Sequence, residues 1–320
     1  MNDENLKEPL EDLKESLENK LSQVHIPEPE EFIKKAAGIS QVYGLLFGET
    51  CVLKYAVLND EREIEKMYLI KDTNSSLRGL LAAEDDVYFQ NDNYKICSLF
   101  GNFKSRARWN ITESIVEHQG KIFDAGIYQL YETLTDKLLM TKKELSIKKI
   151  DYIASISAFQ DKLYALCYKP KYAFTALEEN NGKYKIGGTI IEYEKYLTFE
   201  FCQALILPGI SSNINGKEYG FSVLSCVYLN YLDLNNQMII GTDGLSLIHR
   251  CALLSSDSER AEVVYSGDFE GINFAEIDLN KKTAKTRKLI TNSRGFVSGL
   301  DVVRNKELHN KLINFGKELK

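Results

Sequence analysis

Long hydrophobic runs are missing from this 320-residue chain. No stretch approaches the roughly 18 consecutive apolar residues of a membrane-crossing helix. The first 30 residues are charged and lack the apolar centre of an export signal. The cytoplasm is therefore the expected location, with no membrane. Tryptophan is almost absent, with Trp109 the single copy. The four histidines, His25, His118, His249 and His309, never share a local window, so no paired metal-ligand spacing exists. The six cysteines include no C-x-x-C pair and mostly sit in apolar strand-like runs. They read as six free thiols that act as small apolar residues. No nucleophile elbow, phosphate-binding loop or dinucleotide fingerprint occurs. No cofactor and no metal are expected. A net charge of −6 argues against a partner bound by phosphate neutralisation, so nucleic acid is not expected.

The negative excess is local. Residues 1–40 hold ten acidic side chains against five lysines, and the remainder is close to neutral. Within that segment Leu6, Leu10, Leu13, Leu17 and Leu21 recur at helical spacing, a stripe too apolar to leave in water. The spacing predicts an acidic amphipathic helical extension over residues 1–38. The first reading is packing on the rest of the chain; the others are a contact with a partner or a second copy, which makes these leucines candidate partner-binding residues, and a loose tail. His25-Ile26-Pro27-Glu28-Pro29 breaks the pattern.

From residue 39 to 320 the pattern is strand-like: short apolar runs, β-branched and aromatic residues, and tight-turn chemistry. A hairpin signal returns about every 36 residues, the period of a repeat architecture. Ser114 to Phe123 (SIVEHQGKIF) and Ser155 to Tyr164 (SISAFQDKLY) are the clearest copies, and Gly79 to Tyr88 has the same shape. Turns are expected at Gly48-Glu49-Thr50, Glu84-Asp85-Asp86, Gln119-Gly120-Lys121, Gln160-Asp161-Lys162, Asn235-Asn236-Gln237 and Arg304-Asn305-Lys306. The middle three should be equivalent turns of successive units. Further turns at Asn91-Asp92-Asn93, at 179–182 and at 278–281 suggest four strands per unit.

On these residues the chain resembles the β-propeller superfamily of the WD-repeat and quinoprotein-like kind. The resemblance is architectural. The Gly-His and Trp-Asp dipeptides are missing, and the paired glycines of kelch repeats occur once, at Gly187-Gly188. It implies an all-β fold: a propeller of about seven four-stranded blades, within a range of six to eight, behind the helical extension. One blade cannot cover both its own faces, and a ring does so for all of them.

Lys104, Arg106 and Arg108 alternate beside Trp109, which makes them a candidate anion contact; the plainer reading is a solvated blade edge. The run from Lys281 to Lys288 reads as decoration of an outer strand, where lysines discourage edge pairing. The expected function is a non-enzymatic protein–protein interaction or scaffold module with a protein partner. Rim tyrosines would suit that role, among the 18 in the chain. The alternative is a hydrolase or lyase with carboxylates around the central channel.

Overall fold

A computed structural model describes residues 41–49, 51–73, 77–108, 112–169, 171–193, 203–227, 231–234, 239–241, 250–267, 271–291 and 297–319. The leucine stripe, His25 and Trp109 lie outside them, as do the expected turn at 235–237 and His249.

The strands, in chain order, are β1 (Gly44–Glu49), β2 (Val52–Leu58), β3 (Ile64–Asp72), β4 (Arg78–Ala82), β5 (Val87–Gln90), β6 (Ile96–Ser98), β7 (Thr112–His118), β8 (Lys121–Gly126), β9 (Gln129–Glu132) and β10 (Lys137–Met140). A short helix α1 (Lys142–Ile147) precedes β11 (Tyr152–Phe159), β12 (Lys162–Tyr168), β13 (Tyr172–Asn180) and β14 (Lys183–Tyr193). Then come β15 (Gln203–Ile214), β16 (Lys217–Val227), β17 (Tyr231–Leu234), β18 (Ile239–Gly241), β19 (Arg250–Ser256), β20 (Arg260–Gly267), β21 (Gly271–Asp278), β22 (Thr283–Ile290) and β23 (Gly299–Val303). Helix α2 (Lys306–Phe315) and β24 (Lys317–Leu319) follow.

These strands form six antiparallel sheets. β4–β6 make blade 1, β7–β10 blade 2, β11–β14 blade 3, β15–β18 blade 4 and β19–β22 blade 5. Blade 6 joins the two ends of the described fold in the order β23-β1-β2-β3-β24. The first strands of the blades, β4, β7, β11, β15, β19 and β23, neighbour one another in a closed cycle. The protein is a six-bladed β-propeller.

One buried apolar cluster fills each of the six seams between blades. This explains why inner strands show no polar–apolar alternation. β1 (GLLFGE) is buried along its whole length because a blade lies on each side of it. The outer strand β22 (TAKTRKLI) is mostly exposed, so the lysine-rich run at 281–288 does decorate an outer edge.

The three equivalent turns hold: Glu84–Asp86, Gln119-Gly120 and Gln160-Asp161 join the first and second strands of blades 1, 2 and 3. Gln119 and Gly120 both have positive φ, +51° and +70°, as a two-residue mirror-image turn requires. Two other expectations are corrected. Gly48 and Glu49 are paired within β1, and the hairpin that follows them joins the second and third strands of its blade, because β23 supplies the first. Arg304-Asn305-Lys306 is no hairpin turn; Asn305 caps α2, accepting from the Glu307 and Leu308 N–H groups at 2.7 and 3.1 Å. The count is six, at the lower end of the expected six to eight, because blades 3 and 4 are built from long strands. β14, β15 and β16 run 11, 12 and 11 residues, and this extra length was read as another unit. The hairpin turn of blade 4 is Asn215-Gly216, with φ of +53° and +77°.

Cys51, Cys97 and Cys167 are free, but Cys251 is disulfide-bonded. This corrects the expectation of six free thiols.

Candidate functional site

A groove of about 740 Å³ opens at the end of the propeller where the first hairpin turns of blades 2, 3 and 4 converge. Blade 3 forms its floor, with Leu163, Tyr164, Ala176 and Leu177. His118 and Gln119 from blade 2 border one side, and Ile214, Asn215, Lys217 and Tyr219 from blade 4 the other.

The blade 4 wall exists because its first hairpin is long and bent. Pro208 pairs with Phe221 and Ser212 with Tyr219, so β15 carries two more residues than β16 across that interval. Such a bulge bends a hairpin. The bent tip reaches over blade 3, where the Asn215 side-chain amide donates to the Ile190 carbonyl at 3.1 Å. Ile214 is buried with Ile190, Tyr164 and Phe221 beneath it.

Aromatics dominate this region. Tyr164 stacks on Phe174 at 5.4 Å and meets Phe221 edge-on at 5.3 Å. Tyr219 lies 5.4 Å from Phe221, with the Lys217 ammonium 5.4 Å from its ring. Tyr184 meets Phe123 edge-on at 6.0 Å. Burial, then the Asp161 carboxylate and Tyr219, push the Tyr164 hydroxyl above its ordinary pKa. Burial, then Glu179 and Glu132, do the same for Tyr184. Both hydroxyls therefore stay protonated as hydrogen-bond donors at neutral pH. Charges of both signs line the mouth: Asp161, Glu178 and Glu179 against Lys162 and Lys217. His118 is buried at the end of β7 and packs on Phe123 at 6.2 Å.

A second cavity of about 520 Å³ follows the central channel, where all six inner strands contribute. Its carboxylates are Glu117 and Asp301, and its cations Arg250 and Arg304. The carboxylates sit on β7 and β23, with β4 between them in the ring. Both are held by backbone donors. Asp301 accepts from the Ala82 N–H and the Val302 N–H at 2.8 Å each, and Glu117 from the Glu84 N–H at 3.2 Å. Asp301 thereby ties the closing blade to blade 1. Arg250 donates to the Ser298 carbonyl at 3.0 Å and Arg304 to the Leu253 carbonyl at 2.5 Å.

Burial pushes the Asp301 carboxyl up to about 6, against the pull of its backbone donors and Arg304. An unfolded aspartate titrates near 3.9. The folded state thus holds its proton more tightly, so the contribution to stability is full below about pH 4 and is lost as pH rises through about 6. Asp301→Asn should remove this slope. Between about pH 4 and pH 7 the wild type should lose about 2–3 kcal/mol relative to that variant in urea unfolding. Parallel pH profiles of the two proteins would exclude the assignment.

The candidate anion contact is not brought together. Lys104 and Arg106 are exposed, but Arg108 is buried. Its guanidinium binds Asp124 through two nitrogens, both at 2.9 Å, and Asp136 at 2.7 Å. The alternation rule fails because the segment after β6 is irregular: it meets β6 and the residues just before it through an isolated bridge between Cys97 and Lys104 and through scattered backbone bonds, such as the Arg108 N–H to the Tyr94 carbonyl at 2.7 Å. None of the groove tyrosines was singled out from sequence, since their meeting depends on hairpin length. The Asn215-Gly216 dipeptide was the available signal.

No protein-family profile and no curated protein sequence matches the chain. Among solved structures, the chain is similar to the WD40 β-propeller domain of Doa1, at 8% identity and a TM-score of 0.47, over 77% of this chain and 79% of that one. It is also similar to the computationally designed protein Ika8, at 9% identity and a TM-score of 0.41, over 79% of this chain and 90% of that one.

Proposed function

We propose that this propeller is a non-enzymatic protein-interaction module that seats an extended segment of a partner protein in the groove over blade 3. One observation carries the reading: Tyr164, Tyr184 and Tyr219, from different strands of two blades, meet in one open groove walled by a bent hairpin. Tyrosine offers a large rigid contact face with a polar tip, which is why it recurs at binding hot spots. Mixed charges at the mouth suit a peptide, whose backbone is neutral and whose side chains vary. The channel carboxylates, by contrast, serve backbone donors in two separate blades, which does not favour acid–base chemistry there.

Selection of displayed random peptides on the full chain tests this. Tyr184→Ala and Tyr219→Ala should each weaken the selected peptides by about 30-fold or more, the effect of losing a hot spot. Melting temperatures should stay within a few degrees, because both side chains are only partly buried. Peptides that bind these variants as tightly as the wild type would place the interaction elsewhere.

A further inference from the structure

The end of blade 3 remote from the groove carries a basic knob. Helix α1 is six residues long, and Glu144 reaches back to the Thr141 N–H at 2.8 Å to fix its start. At its end the Lys149 N–H donates to Ser146 at 3.0 Å and the Ile150 N–H to Leu145 at 3.1 Å, with Lys149 in the left-handed region at +55°. Leu145 and Ile150 are anchored in the apolar seam between blades 2 and 3. Between these anchors Ile147 projects outward and is 71% exposed.

Lysines flank it along the chain. Lys142, Lys143, Lys148 and Lys149 are exposed on the knob, and Lys142 lies 4.6 Å from the Tyr128 ring. The next strand, β11, then brings in two more. The Asp151 N–H donates to the Tyr168 carbonyl at 2.8 Å, and Tyr152 stacks on Tyr168 at 5.0 Å. Tyr168 leads directly into Lys169 and Lys171. Among the described residues no ion pair engages any of these six lysines. The nearby acids in sequence are Glu144, already committed to Thr141, and Asp151.

We propose that this knob is a peripheral docking site for an anionic lipid surface, with Ile147 entering the interface and the six lysines meeting headgroups. The shape decides between occupants. Ile147 stands 71% exposed between two buried anchors, so the patch projects outward and does not enclose a peptide. Its cations are all lysines, point charges that suit a diffuse negative surface better than a planar bidentate partner. Its apex is aliphatic, which suits acyl chains and offers no stacking face to a base. Among the described residues no helix is long and apolar enough to cross a membrane, so the contact is peripheral.

The test is sedimentation of the full chain with vesicles of phosphatidylcholine alone or with about 30% phosphatidylserine, whose surface potential attracts basic patches. The wild type should pellet with the serine-containing vesicles only. It should be released between about 0.1 and about 1 M salt, as the screening length falls from about 10 to about 3 Å. Lys148→Gln with Lys149→Asn should weaken binding about 25-fold, at about five-fold per lysine. Ile147→Ser should weaken it several-fold more than Ser146→Ala, with unchanged melting for all variants. Equal pelleting with both vesicle types, or none with either, overturns the proposal. So does tighter binding to soluble polyglutamate that Ile147→Ser leaves untouched, which would make the knob an acidic-polypeptide site. Tyr219→Ala should leave vesicle binding intact, which keeps this result separate from that of the groove.

Discussion

Arg108→Met should cost about 3–5 kcal/mol in urea unfolding, the largest effect expected from any single polar residue. The seam between blades 1 and 2 is the thinnest of the six: its cluster has six buried members, where the seam between blades 2 and 3 has fourteen. Polar contacts make up the difference. Asp124 is fully buried and accepts from Arg108 twice and from the Thr133 hydroxyl at 2.8 Å. Arg108 also binds Asp136 and stacks 4.0 Å over Tyr131. Burial alone would weaken the guanidinium as a base, but the hydrogen bonds and charges of Asp124 and Asp136 outweigh it and push its pKa up. In the same seam Gln90 and Thr112 exchange two hydrogen bonds, at 2.9 and 2.8 Å.

Methionine fills much of the same volume but leaves Asp124 with one side-chain donor in a site closed to water. Removing one partner of a buried pair costs more than the pair is worth, because the other charge is stranded. The double variant Arg108→Met with Asp124→Leu should therefore recover part of the loss, a non-additive result that only coupling explains. A single-variant loss below about 1 kcal/mol would put this network in the class of exposed ion pairs.

The fold was legible where local chemistry was regular. The copies at Ser114 and Ser155 share turn residues and strand length, so periodicity alone aligned them. It failed where strands lengthened. From Gln160 to Asn215 the interval stretches, and a fixed period skipped over the one dipeptide, Asn215-Gly216, whose φ preference marks the turn directly. Closure was invisible for a different reason. β23 and β1 pair across more than 250 residues, from Gly44 with Val303 to Gly48 with Gly299, and no local signal links them. The groove inherits both problems, since it needs the long hairpin of blade 4 to lie over blade 3. Arg108 shows the limit of alternation as a guide: strand logic put it on an outer edge with Lys104, and an irregular segment turned it inward.

Ring closure gives the second large effect. A chain ended after Ser298 should not fold, whereas one ended after Gly316 should fold with its stability nearly intact. The first truncation removes β23, α2 and β24. It uncovers Leu45 and Phe47 on β1, both fully buried, and takes away Leu300, Val302, Val303, Leu308 and Leu312. At about 1.5–3 kcal/mol for each buried aliphatic side chain, those five account for about 8–15 kcal/mol. That equals the whole net stability of an ordinary domain. β1 also becomes an unpaired edge of apolar residues, a template for aggregation. The second truncation removes only exposed residues: Lys317–Leu319 and the Lys66–Glu318 pair, whose 3.5 Å contact is more than half exposed on both sides. Such a pair is worth at most about 1 kcal/mol. Circular dichroism and thermal melts separate the outcomes: no cooperative transition for the first chain, and one near the full-length midpoint for the second. A cooperative melt from the chain ended after Ser298 would mean that the propeller stands without its closing strand, and that the pairing of β23 with β1 contributes little to holding the ring.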